Sequence, residues 1–323
     1  MKLSFLGVGH WHAAMHGDAA LAAGAGIASA WDPTPEAAAG FAQKFGCPVA
    51  PSLQAALDHA DLAVVMGRPF EIVERGLQVI AAGVPLLLEK PLGISADAAD
   101  ALIEAAQRKR VFAAMALPHG MAMLAALGDL DAAGRRGPIS HSHFRLINGP
   151  PQRYVDDGVA WVLDPAIGGG GALRNLGIHG INAFLMLAAG QEVEVVSASF
   201  GRPLHGTKVE DYAAIVLRAA DGMLGLIEAG YTFASMKRGL FEWRVSAANA
   251  TLSDFGDRLA LSTLDDEKQT DLPATPIARR YHDVMADTLQ RLAAGRPPAV
   301  SLADARRAMA IIDNCYALQR AST

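Results

Sequence analysis

Only two cysteines, Cys47 and Cys315, occur in 323 residues, far apart and in no CxxC pair. That excludes a disulfide framework and a thiolate metal centre, and it fits a reducing cytoplasm. Neither has a histidine or a cationic cluster beside it in the chain, so both read as small buried hydrophobes rather than nucleophiles. No apolar run approaches the roughly 20 residues that a membrane helix needs. The opening Met1-Lys2-Leu3-Ser4-Phe5-Leu6-Gly7 lacks a cleavage site behind a long apolar stretch and reads as a buried strand. Basic residues are scattered, and the net charge is −5, so the electrostatic footprint of a nucleic-acid or membrane-surface binder is missing. A soluble cytoplasmic protein with a small-molecule partner is expected. There is no internal repeat and no low-complexity linker.

The length is enough for two domains. Up to residue 118, short apolar runs alternate with alanine-rich helical stretches: Leu3 to Leu6, Ile27 to Trp31, Leu62 to Met66, Val84 to Leu88 and Val111 to Ala116 are strands buried on both faces. Thr34-Pro35-Glu36, Ser52 and Ser95 supply helix starts, and Gly46 and Gly83 supply stops. After His119 the runs alternate instead, at Ile139 to Leu146, Glu192 to Phe200, Asp211 to Arg218, Met223 to Tyr231, Phe241 to Ala247 and Leu259 to Ser262, with turns such as Ala220-Asp221-Gly222 between them. Helices are expected over Leu173 to Ala188, Ile277 to Ala294 and Leu302 to Gln319. The fold class is α/β: a doubly wound parallel Rossmann sheet over 1–118, then an α+β domain over 119–323 with a large, mostly antiparallel open sheet.

Gly7-Val8-Gly9-His10-Trp11-His12 follows the first strand and precedes the first helix. In that context a glycine pair lets the backbone approach a pyrophosphate at a helix N-terminus. The third glycine of the fingerprint is replaced by His12. Asp32, ending the second strand, is placed to accept hydrogen bonds from ribose hydroxyls and to repel a 2′-phosphate, which favours NAD over NADP. Gly67 and Arg68, after the third strand, join Gly7, Gly9, His10, Trp11, His12 and Asp32 in the expected cofactor set, which Glu89 and Lys90 complete.

At the close of the fourth strand stands Glu89-Lys90-Pro91. This run resembles the EKP motif of the Gfo/Idh/MocA oxidoreductases, and the likeness extends along nearly the whole chain. Trp161, Asp164-Pro165, Gly168 to Gly171 and His179 resemble a second block of that family, and Lys208 to Tyr212 and Ser301 to Ala305 fall where similar segments lie. The resemblance implies a Rossmann domain followed by an open-sheet domain, a cis peptide before Pro91, oxidation or reduction of a sugar, cyclitol or related polyol with NAD or NADP, and a homodimer or homotetramer. Two departures stand out. Asn175 and Asn182 occupy positions where the family usually has aspartate at the first and often at the second. Met66-Gly67-Arg68-Pro69-Phe70 lacks the histidine that often follows this proline.

Lys90, at the C-terminal edge of a parallel sheet, is expected to orient a substrate oxygen beside the nicotinamide, with Glu89 at its side. His179 is the expected base for the hydroxyl proton, and Asn175 is expected to position its ring. Asn175, His179 and Asn182 recur at intervals of four and three, as residues sharing one helix face do. Trp161 and His119 complete the expected substrate set, and Arg153, Tyr154 and Asp156 lie in the loop that should set specificity. No metal site is expected: His12 and His16 lack a third ligand and read as structural, and His141 and His143 read as sheet-surface residues without carboxylate neighbours. A non-catalytic NAD-binding regulator and an NAD-dependent glycosidase are the alternatives to a dehydrogenase.

Overall fold

The structure is a computed structural model that describes residues 1–118, 121–201, 204–264, 269–276 and 279–322. The first half runs β1 (Lys2–Leu6), α1 (Ala13–Ala22), β2 (Gly26–Trp31), α2 (Pro35–Phe45), α3 (Leu53–Leu57), β3 (Leu62–Val65), α4 (Pro69–Ala81), β4 (Leu86–Leu88), α5 (Asp100–Lys109) and β5 (Ala113–Met115). Its five strands are parallel, in the order β2-β1-β3-β4-β5. The continuous apolar runs are the cause: β3 and β4 are buried at every position because helices cover both faces of the sheet. Ser52 caps α3 through the backbone N–H of Ala55, and Gly46 ends α2 with φ +64°. Thr34 precedes α2 without a side-chain capping bond.

The second half runs α6 (Met121–Ala132), β6 (Ile139–Ile147), α7 (Gln152–Asp156), α8 (Pro165–Gly168), α9 (Ile178–Ala188), β7 (Val193–Phe200), β8 (Tyr212–Ala219), β9 (Leu224–Gly230), β10 (Leu240–Ala247), β11 (Ala250–Asp254), β12 (Leu259–Thr263), β13 (Thr270–Leu272), α10 (Arg280–Ala293) and α11 (Leu302–Ser322). The eight strands form one sheet, ordered β13-β12-β11-β10-β6-β9-β8-β7. All neighbours are antiparallel except β6 and β9. One face is buried, with Phe144, Trp243, Ile215 and Ile227 sharing a core with Ile181 and Phe184 of α9. On the other face His143, Arg145, Glu228, Glu242 and Arg244 form a partly exposed charged strip.

Several elements were not expected from the sequence. Helix α6 follows the first sheet directly, and its buried Met123, Leu127 and Leu130 follow helical spacing within a segment apolar nearly all round. Strands β11 and β13 are five and three residues long and carry too little alternation to stand out. Helix α10 starts at Arg280, Ile277 and Ala278 lying outside the described residues. It packs back on α1, with Tyr281, Met285 and Leu289 sharing a core with Leu3, Phe5 and Ala20.

Candidate active site

The C-terminal ends of the parallel strands lie along one edge of the sheet, and there the residue that follows β4, Lys90, meets the turn ahead of α9. The loop after β1 is held shut by its glycines. A Cβ on Gly7, where φ is +79°, would stand 2.1 Å from the carbonyl oxygen of Met66, so only glycine fits. The Gly9 N–H donates to Asp32 at 2.7 Å, and the Thr34 N–H donates to the same carboxylate at 2.9 Å. Asp32 therefore stands at the end of β2 facing the glycine loop, the place a ribose would occupy. Arg75, unremarkable in sequence, reaches this corner too: it lies over the Trp31 ring at 5.6 Å and donates to the Met66 carbonyl at 2.6 Å. Gly67 sits against the Arg75 guanidinium. Arg68 precedes α4 and is engaged by Glu71 at 2.6 Å.

Lys90 is buried at the end of β4, and the Lys90–Pro91 peptide is cis, as the resemblance implies. Its Nζ donates to the backbone carbonyl of Asn175 at 2.9 Å and to Asn175 Oδ1 at 2.6 Å. It also lies 5.9 Å from the centre of the Trp11 ring. Burial pushes the Lys90 ammonium down to about 8, against the pull of the Glu89 carboxylate. The amide of Asn175 is thus engaged with Lys90 on one side and, through Nδ2, with the Tyr231 hydroxyl at 3.0 Å on the other.

The helix carrying Asn175 and His179 opens with a π turn over Leu173–Gly177 before continuing as α9. A wheel drawn at 3.6 residues per turn fails across such a turn. Asn175 and His179 do line a common cleft, but Asn182 does not; its amide contacts Met186 Sδ at 3.6 Å. The glycine run before the helix is fixed by Glu210, which accepts from the N–H groups of Gly171 at 3.1 Å and Leu173 at 3.0 Å and from Tyr316 at 2.7 Å. Burial pushes the Glu210 carboxyl up. Arg174 pairs with Asp313 of α11.

The cleft itself has a volume of about 460 Å³. Lys90, Asn175 and His179 line it with His12, Met15, Asn148, Arg153, Tyr154 and Tyr281. Arg153 and Tyr154 belong to the loop expected to set specificity; Tyr281, from the far end of the chain, had no sequence signal. Trp161 lies elsewhere: it stacks on Trp11 at 5.9 Å and walls a narrow adjoining cavity with His10, Lys90 and Arg174. Two buried polar atoms in that cavity wall, His10 Nε2 and Arg174 Nη1, make no hydrogen bond among the described residues. His10 belongs to the glycine loop, so its free ring nitrogen stands where a dinucleotide at the C-terminal sheet edge would pass. His119 lies outside the described residues.

His143 has a carboxylate neighbour after all, Glu228 at 3.8 Å, supplied by the parallel strand β9; long-range pairing brought it there. Both cysteines are free. Among the described residues, no group of three or more His, Cys, Asp or Glu side chains is arranged to hold a metal ion, and no helix is long and apolar enough to cross a membrane.

Two family models match the chain in order. Residues 1–117 match that of an oxidoreductase family with an NAD-binding Rossmann fold, and residues 125–252 match the GFO/IDH/MocA C-terminal domain. The UDP-N-acetylglucosamine 3-dehydrogenase of Acidithiobacillus ferrooxidans is 29% identical over 201 residues, which span 60% of this chain and 56% of that enzyme. A solved structure of a UDP-N-acetylglucosamine 3-dehydrogenase from the same organism superposes with a TM-score of 0.80 at 24% identity, covering 99% of this chain and 96% of the other. A levoglucosan dehydrogenase in complex with NADH and levoglucosan gives 0.85 at 18% identity, over 98% and 96%. With the EKP lysine held on the helix that follows the glycine run, and with both halves matched in sequence, the chain belongs to the Gfo/Idh/MocA oxidoreductase family.

Proposed function

We propose that the protein is an NAD-dependent dehydrogenase that moves a hydride between the nicotinamide and a hydroxyl-bearing carbon of a sugar, cyclitol or related polyol. The carrying observation is Lys90, buried at the sheet edge and held on Asn175 inside the cleft. The similar dehydrogenases act on sugars, by their names, and one is solved with NADH and its sugar.

Bound NAD supplies the hydride acceptor; the rest falls to the protein. Gly7 and Gly9 give the backbone its close approach, Asp32 takes the ribose hydroxyls, and His10, Trp11, Gly67, Arg68 and Glu89 complete the surroundings. Lys90 in its ammonium form holds the substrate oxygen and stabilises the negative charge that gathers there as the O–H bond breaks. His179, on the facing helix, takes the proton. Asn175 fixes Lys90 in this proposal, rather than orienting the imidazole. Arg153 and Tyr154 contact the distal hydroxyls of the substrate. NADP is disfavoured by the Asp32 carboxylate. A homodimer or homotetramer joined through the outward face of the eight-stranded sheet, a cytoplasmic location, and the lack of a nucleic-acid or membrane partner complete the reading.

Calorimetric titration with NADH and NADPH, followed by NAD reduction with UDP-N-acetylglucosamine, levoglucosan and myo-inositol, tests it. Tight NADH binding, weaker NADPH binding and turnover of one of these probes are expected. NADH binding without turnover would favour the regulator, and release of a sugar aglycone without net NAD reduction would favour the glycosidase. No binding of either nucleotide overturns the proposal.

A further inference from the structure

Behind the cleft wall, next to Lys90 in sequence, stands a carboxylate with no proton-transfer role so far. Glu89 is fully buried. Its Oε2 lies 2.6 Å from His16 Nε2. Its Oε1 lies 3.1 Å from His12 Nδ1. The Tyr281 hydroxyl stands 2.8 Å from the same Nδ1, and the Tyr281 ring packs edge-on against both imidazoles. Nδ1 of His12 thus faces a carboxylate and a phenol, which leaves Nε2 as the ring nitrogen available to a ligand. His12 is the histidine of this cluster on the cleft wall, with 17% of its side chain exposed against 1% for His16.

The charges favour proton traffic at this point. Burial works to raise the Glu89 carboxyl, and His12 and His16 outweigh it, holding the group well below the usual carboxylate range and therefore anionic. Burial lowers His12 against the pull of Glu89, with Lys90 and His16 adding to the lowering. The groups facing His12 are Glu89 and Lys90 from the end of β4, His10 and His16 from the glycine loop and α1, and Tyr281 from α10. A neutral imidazole with an anion behind it gains a proton at one nitrogen while its other N–H is stabilised, as in carboxylate–imidazole pairs generally. Asn175 provides no such anion on the opposite wall. The helix-entry position that His12 occupies is one where a small residue serves packing, so packing does not explain an imidazole there.

We propose that His12 is a proton-carrying residue of the cleft, with Glu89 and Tyr281 as its positioning residues: it receives at Nε2 the hydroxyl proton that His179 takes from the substrate, and passes it to solvent. The proposal rests on the dehydrogenase reading. In the step, the substrate C–H bond breaks and its electron pair leaves as hydride to the nicotinamide, the O–H bond breaks, and a C=O bond forms. The proton moves from the substrate oxygen to His179, then to His12, then to water.

Two measurements test this. The first needs no substrate: histidine-ring NMR titration of the NADH-bound protein, with the His12 signal assigned by its loss in His12→Gln. The His12 midpoint should fall by about one pH unit in Glu89→Gln, because the anion favouring the charged ring is gone. Glu89→Asp, which withdraws the carboxylate by one carbon, should lower it less and serves if the glutamine variant does not fold. An unmoved midpoint in the variant that folds overturns the pairing. The second is turnover of UDP-N-acetylglucosamine, levoglucosan and myo-inositol. His12→Gln should lower kcat by about tenfold or more with little change in KM or NADH affinity, and imidazole added to the buffer should restore part of the rate. Unchanged kcat overturns the carrier role. If the wild type binds no NADH, the dehydrogenase reading has failed and the carrier role falls with it. The titration, run without nucleotide, then still decides whether His12 and Glu89 are paired.

Discussion

Lys90 Nζ is bonded twice to Asn175, once to its carbonyl and once to its side-chain oxygen. The two residues come from different sheets' territories, one from the end of β4 and the other from the π turn ahead of α9. The pair therefore ties the two halves together at the point where chemistry is proposed. At this position, where the resemblance implies aspartate, a neutral amide holds the lysine without adding charge.

Lys90 is charged below its pKa and neutral above it, and burial has brought that value to about 8. If the ammonium holds the substrate oxygen, the rate falls as pH rises through this region. Asn175→Asp adds an anion at 2.6 Å from Nζ, which favours the ammonium and moves the falling limb to higher pH. The profile of kcat/KM against pH, taken from 6 to 10, checks this; a limb that stays in place shows that Lys90 does not set it. Lys90→Met should lower kcat by about 10²–10³ while NADH affinity stays within a few-fold.

The Asp32 carboxylate accepts from the Gly9 and Thr34 N–H groups, and in the proposed function it takes the ribose hydroxyls. Asp32→Ser should weaken NADH binding by about tenfold, the loss of about 1.4 kcal/mol. It should also strengthen NADPH binding, since the repulsion of a 2′-phosphate is gone. Calorimetry with both nucleotides reads the change, and an unaltered NADH to NADPH ratio would place the ribose elsewhere.

Glu210 gathers the N–H groups of Gly171 and Leu173 and the Tyr316 hydroxyl around one half-buried carboxylate. Glu210→Ala leaves the Leu173 N–H without its acceptor and the Gly171 N–H with the Tyr316 hydroxyl alone, and should cost about 1–3 kcal/mol. Thermal unfolding should show it as a drop in Tm of several degrees. Because the helix start carries Asn175, kcat should fall as well; a variant with wild-type Tm would remove Glu210 from this role.

Much of this is legible in the sequence. Continuous apolar runs with helical stretches between them admit little besides a parallel sheet covered on both faces, and the alternating runs after residue 119 admit little besides an exposed-face sheet. Gly7, Asp32 and Lys90 fall at strand ends, where such a sheet places its ligands, so local pattern was enough to find them. Tertiary structure decided the partnerships. Nothing in the spacing of 175, 179 and 182 announces a π turn, and that turn set Asn175 on Lys90 and Asn182 on Met186. Tyr281 reached His12 because α10 folds back on α1 across 269 residues of chain. Glu89 is adjacent to Lys90 in sequence yet points to the other side, toward His12 and His16 on a neighbouring helix start. Periodicity reports which face of an element is apolar; it carries no information on which polar groups of distant elements are pressed together when those faces close.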